Sequence, residues 1–128
     1  VSVREQEYMS ALALKLGTNP RVRVWRQNVG GPVIRDRKGR TLGRFNSGPP
    51  VGSADLSGCV CPEGWRLEIE TKAASTKHTE AQKSFARNMH ECGCVYVLAR
   101  FDASKSLELN VSDSVDLVML AIERRANE

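Results

Sequence analysis

Apolar residues recur at helical spacing near the start of the chain: Tyr8, Ala11, Leu12 and Leu16, with Met9 and Ala13 beside them, form one stripe that Gly17 ends. That period predicts a first helix over residues 4–17, left through the turn Thr18-Asn19-Pro20. Basic and apolar residues then alternate in Arg21-Val22-Arg23-Val24-Trp25-Arg26-Gln27-Asn28, the period of a half-buried strand whose polar face is almost all arginine. Residues 29–53 lose any period, with Gly30-Gly31-Pro32, a turn at Asp36-Arg37-Lys38-Gly39, and Asn46-Ser47-Gly48-Pro49-Pro50; a basic hairpin over 33–45 is the expectation there. Asp55 to Cys61 and Trp65 to Lys72 read as two strands joined by Pro62-Glu63-Gly64. A second helix follows over 76–92, with Thr79 as its N-cap and Ala81, Phe85, Ala86 and Met89 inward. Val95 to Ala99 is an apolar run suited to a strand covered on both faces. Ser112 is read as the cap of a last helix reaching Arg125, with Val115, Leu117, Val118, Leu120, Ala121 and Ile122 mostly inward. The order αβββαβα predicts an α/β fold.

At 128 residues, 41% of them hydrophobic and 27% charged, the chain has the length and composition of one globular domain spanning 1–128. No stretch has the apolar length of a membrane span, and the first residues are polar, so a cytoplasmic protein that leaves membranes alone is expected. The net charge of +4 is unevenly spread. Residues 1–50 carry ten Lys and Arg against three Asp and Glu, residues 51–100 six of each, and residues 101–128 three against six. The basic half would draw a polyanion, or simply be solvated. Cys59-Val60-Cys61 and Cys92-Gly93-Cys94 lack the spacing usual in structural zinc sites, and free thiols are the expectation.

The candidate chemistry lies in Gly52-Ser53-Ala54-Asp55 and in Glu68-Ile69-Glu70-Thr71-Lys72. Strand alternation puts Glu68, Glu70 and Lys72 on one face. If the two strands pair antiparallel, Asp55 approaches Glu70 closely enough for both to hold one divalent cation, and hard oxygen ligands suit Mg²⁺ or Mn²⁺. Asp55 as a turn cap, and Glu70 with Lys72 as an ion pair on a solvated strand, are the plainer readings. Glu68 is read as solvated, His78 and His90 as surface or packing residues, and Trp25 and Trp65 as core.

Gly52-Ser53-Ala54-Asp55-Leu56, then Glu70-Thr71-Lys72, then Gln82 on the following helix resembles the PD-(D/E)XK nuclease superfamily, and within it the VRR-NUC (virus-type replication-repair nuclease) domains. Trp25-Arg26-Gln27-Asn28-Val29-Gly30 and Gly93-Cys94-Val95-Tyr96-Val97 look like that family's first and last core strands, so the likeness covers roughly residues 5–101. Ala54 stands where the usual motif has proline, which removes no ligand. The resemblance implies a restriction-endonuclease-like αβββαβ core with an additional C-terminal helix. It implies Asp55, Glu70 and the main-chain carbonyl of Thr71 as ligands of Mg²⁺ or Mn²⁺, Lys72 acting on water and phosphate, and Gln82 reaching back to hold the site. Glu7 matches the acid that completes the set in many relatives, with Glu5 close enough to take its place.

The implied activity is metal-dependent endonucleolytic hydrolysis of DNA. Stand-alone members of the family look like Holliday-junction resolvases that work as homodimers on four-way junctions, in repair, recombination or replication, and a phage or mobile-element origin is in keeping with them. A less selective nickase or flap nuclease, a non-catalytic DNA-binding module of the same fold, and a zinc-stabilised interaction domain are the competing readings.

Overall fold

The computed structural model describes residues 3–27, 33–44 and 49–128. Among these residues are three helices, α1 (Val3–Gly17), α2 (Glu80–Glu91) and α3 (Leu107–Ala126). Six strands accompany them: β1 (Val22–Arg26), β2 (Val33–Arg35), β3 (Thr41–Arg44), β4 (Leu56–Val60), β5 (Trp65–Ala73) and β6 (Val95–Phe101). The architecture is mixed α/β. β1, β4, β5 and β6 form one sheet in that order, antiparallel from β1 to β5 and parallel between β5 and β6. The parallel pair needs a crossover, and α2 supplies it. β2 and β3 pair with each other as the expected hairpin.

One sheet face is apolar because β5 and β6 contribute in-phase alternate residues: Leu67 and Ile69 lie opposite Val95 and Val97. Helices α1 and α3 cover that face with Tyr8, Leu12 and Leu16, and with Val111, Val118 and Ile122, all buried. The Tyr8 hydroxyl lies 2.6 Å from Ser114 Oγ, a buried bond that joins the two helices. Asn110, also buried, stops the chain from wandering between β6 and α3. Its Oδ1 accepts from the Asp102 N–H at 2.8 Å, and its Nδ2 donates to the Asp102 carbonyl at 2.8 Å and the Ser106 carbonyl at 3.0 Å. On the opposite face α2 packs against β6, with the rings of Phe85 and Tyr96 6.2 Å apart.

Several expectations shift. The last helix begins at Leu107, not after Ser112, since Ser106 caps it by accepting the Leu109 N–H at 3.1 Å. Over its 20 residues only one stripe can face the sheet, so Leu117 and Leu120, read as inward, are exposed. The second helix begins at Glu80, where Thr79 caps it as expected, and Ala81 is exposed. Trp25, read as core, is 56% exposed because β1 is an edge strand. Asn28, Val29 and Gly30 of the first core-strand motif, Gly31-Pro32, and Asn46-Ser47-Gly48 lie outside the described residues. Among the described residues no helix is long and apolar enough to cross a membrane.

β1 and β4 approach closely at Gly58, where an added Cβ would lie 1.8 Å from the Arg23 carbonyl oxygen. A Gly58→Ala variant should therefore lose β1 pairing, at a cost above the ~1–3 kcal/mol of ordinary overpacking. The expected readout is a lower melting temperature, with loss of amide-exchange protection concentrated in residues 22–26.

Candidate active site

Where β4 begins and β5 runs on past it, side chains from four elements surround a hollow of about 320 Å³. Asp55, Glu70, Thr71, Lys72 and Gln82 line it, together with Glu5 from the first turn of α1. The approach to Asp55 is fixed by Gly52, whose φ of +91° suits glycine, and where an added Cβ would come within 2.5 Å of the Ala81 carbonyl oxygen. The loop before Asp55 thus rests on the first turn of α2. The Gln27 N–H donates to the Asp55 carbonyl at 2.8 Å and extends the β1–β4 ladder by one residue.

The register Leu56↔Ile69 puts Asp55 directly across from Glu70, as the antiparallel reading requires. Asp55 Oδ2 accepts from both the Thr71 N–H and the Thr71 hydroxyl, each at 2.9 Å. The N–H and C=O of one extended residue lie on the same strand edge, so the Thr71 carbonyl, the expected third ligand, is on the Asp55 side of β5. The sequence drew attention only to that carbonyl; the Thr71 N–H and hydroxyl had no motif signal.

Glu70 is 3% exposed. Its Oε1 accepts from Gln82 Nε2 at 2.9 Å, and its Oε2 is buried with no hydrogen-bond partner among the described residues. Gln82 cannot turn its amide round, because it also closes a capping box: its Oε1 accepts from the Thr79 N–H at 2.9 Å while its own N–H donates to Thr79 Oγ1 at 3.1 Å. With the amide oxygen held by the helix start, the NH₂ group is left to face Glu70.

Burial, and next the charge of Asp55, push the Glu70 carboxyl up to about 8, with Lys72 opposing the shift. The Tyr96 hydroxyl nearby is raised by burial and then by Glu70, Asp55 and Glu68, a second mark of concentrated negative potential. Two carboxylates facing each other, with one buried oxygen unpartnered, fit a hard divalent cation. Asp55, Glu70 and the Thr71 carbonyl are the groups that would hold it. Among the described residues no three His, Cys, Asp or Glu side chains converge for a metal, so main-chain, amide or water oxygens would complete the shell.

Two expectations need correction. Glu7 is exposed and does not line the hollow. The buried stripe of α1 runs through Tyr8, Met9, Leu12 and Leu16, and Glu5, three and four residues before the first two, shares their side of the helix. Glu68, read as solvated, is fully buried, where Ser57 Oγ donates to it at 2.8 Å and Arg66 Nε forms an ion pair with it. His78 is half-buried outside the hollow, with Nε2 3.0 Å from the Tyr96 hydroxyl, and the four cysteines are free thiols.

No known protein family matches the chain, and no curated protein matches it.

The raised Glu70 sets the sign of a pH effect. Between the ordinary glutamate range and about 8 the folded chain keeps a proton that the unfolded chain has released. This contribution to stability is therefore full below the ordinary range and is lost as pH rises through about 8. In chelator, wild-type melting temperatures should fall over that window, and Glu70→Gln should flatten the decline.

Proposed function

We propose that this chain is a divalent-metal-dependent DNA endonuclease with a PD-(D/E)XK core, hydrolysing phosphodiester bonds of branched DNA in the manner of a Holliday-junction resolvase. The observation that carries the reading is the facing pair Asp55 and Glu70, with Gln82 held onto Glu70 and Lys72 on the wall of the same hollow. A buried acid with an unpartnered oxygen, facing a second, half-buried carboxylate, is costly to a fold that has no use for it. A solvated ion pair, the plainer reading, would not need Gln82 locked in place by a capping box.

A divalent cation bound there supplies Lewis-acid polarisation of the phosphate and a more acidic water. The chain's own groups divide the remaining tasks. Asp55 and Glu70 hold the cation, and the two bonds from Thr71 keep Asp55 aimed. Gln82 fixes one Glu70 oxygen and leaves the other for the metal. Lys72 adds a fixed positive charge to the wall against which negative charge grows on the phosphate. Arg23 and Arg26 on β1 and the arginine-rich β2–β3 hairpin supply attraction for the DNA backbone, which makes affinity fall steeply with salt. A four-way junction offers two equivalent strands, so a two-fold dimer presents two such hollows, and the exposed Leu117 and Leu120 of α3 offer apolar surface for the contact.

The test is cleavage of labelled four-way junction, flap and linear duplex in Mg²⁺ or Mn²⁺. Junction should be cut in preference to duplex. Asp55→Ala and Lys72→Ala should each lose about 100-fold or more, and Gln82→Ala about 10–100-fold. Glu5→Ala should reduce the rate and Glu7→Ala leave it alone. Binding without cutting in either metal would overturn the nuclease reading, and equal cutting of junction and duplex would overturn its branch preference.

A further inference from the structure

Trp25 occupies a place that packing does not explain. It is the largest exposed side chain of the main sheet, and among the described residues no ring or guanidinium lies against it. The register fixes which way it faces. Trp25 pairs with Ser57, and Ser57 with Glu68, so Trp25 shares the face that carries Asp55 and Glu70 and not the apolar face under α1 and α3. The Gln27–Asp55–Glu70 row is the next one on that face. Two strand spacings across and two residues along put Trp25 about 12 Å from Glu70, roughly three base steps of stacked DNA.

The charge around it matches a nucleic acid strand. Arg23, on the same face of β1, is exposed, with Nη1 already donating to the Val22 carbonyl at 2.8 Å, which holds the guanidinium beside the strand. Arg66 lies across β4 in the row Arg23, Cys59, Arg66, half-exposed and anchored by the buried Glu68. The only acid in these two rows is Glu68, which is covered. An exposed indole flanked by arginines, a few nucleotides from a phosphate-directed hollow, is the arrangement that binds bases by stacking and the backbone by charge.

We propose that Trp25 stacks on the free face of a base, at a branch point or in an unpaired segment, of the DNA strand that passes through the Asp55–Glu70 hollow, about three nucleotides from the bond to be cut. The inference rests on the nuclease reading and gives its substrate preference a cause. Inside continuous duplex each base has both faces stacked already and offers Trp25 nothing. At a branch point, a flap or a single-stranded segment a base has a free face, and the indole can take it.

The stacking is measured apart from cleavage. In chelator, a Trp65→Phe background leaves Trp25 as the one tryptophan while keeping a ring against Arg125. Its fluorescence should be quenched by a single-stranded oligonucleotide, and much less by the same oligonucleotide made abasic. Trp25→Ala should weaken binding of flap relative to duplex about tenfold, and Trp25→Phe should retain most of that preference. Equal quenching by the abasic strand, or an unchanged flap-to-duplex ratio in Trp25→Ala, overturns the inference. The two failures are separable: Trp65→Phe protein that quenches on bases, while the wild type cuts nothing in Mg²⁺ or Mn²⁺, loses the nuclease reading alone. Protein that cuts with its flap preference unchanged in Trp25→Ala loses this inference alone.

Discussion

Asp55 and Glu70 face each other across two antiparallel strands, and neither burial nor their mutual repulsion allows both to be charged without help. Lys72 gives some of that help, yet Glu70 still keeps its proton up to about 8. A fold that only needed stability would replace such a pair by apolar residues. This one surrounds it with devices that hold it in place. Thr71 gives Asp55 two hydrogen bonds, Gln82 gives Glu70 one, and Gly52 lets the loop before Asp55 sit on the helix that carries Gln82.

The rest of the fold acts through those contacts. The α2 capping box orients Gln82, so a helix start, usually a matter of local stability, decides which group Glu70 meets. The Tyr8–Ser114 bond and the apolar stripe of α1 fix where the first turn of that helix ends up, and so bring Glu5 into the hollow. Asp55 stands just before β4 begins, opposite Glu70 in the interior of β5, so the hollow opens where β5 runs on past the start of β4.

Much of this was legible before any coordinates. Alternation and turn residues located the strands, and the antiparallel pairing that joins Asp55 to Glu70 followed from their order. What failed did so for identifiable reasons. Alternation says which residues share a face but not whether that face is covered, so Glu68 was read as solvated when it lies in the interior with Ser57 and Arg66 on one of its oxygens. Trp25 was read as core because hydrophobicity carries no information about which strand lies at a sheet edge. Glu7 and Glu5 differ by more than half a helical turn, a phase that motif spacing did not resolve and the packing of Tyr8 and Met9 does. Ser112 lost to Ser106 because the buried Asn110, which ties Asp102 to the start of α3, has no local sequence signal.

If the facing carboxylates are a cation site, metal must displace the proton that Glu70 keeps. Titrating metal-free protein with Mn²⁺ near pH 7, with bound metal followed by electron paramagnetic resonance and proton release followed in weak buffer, reads both events together. One Mn²⁺ should bind per chain with release of close to one proton, and Asp55→Ala and Glu70→Ala should abolish both. Failure to take up Mn²⁺, or uptake that both variants leave unchanged, would contradict a cation site at this pair.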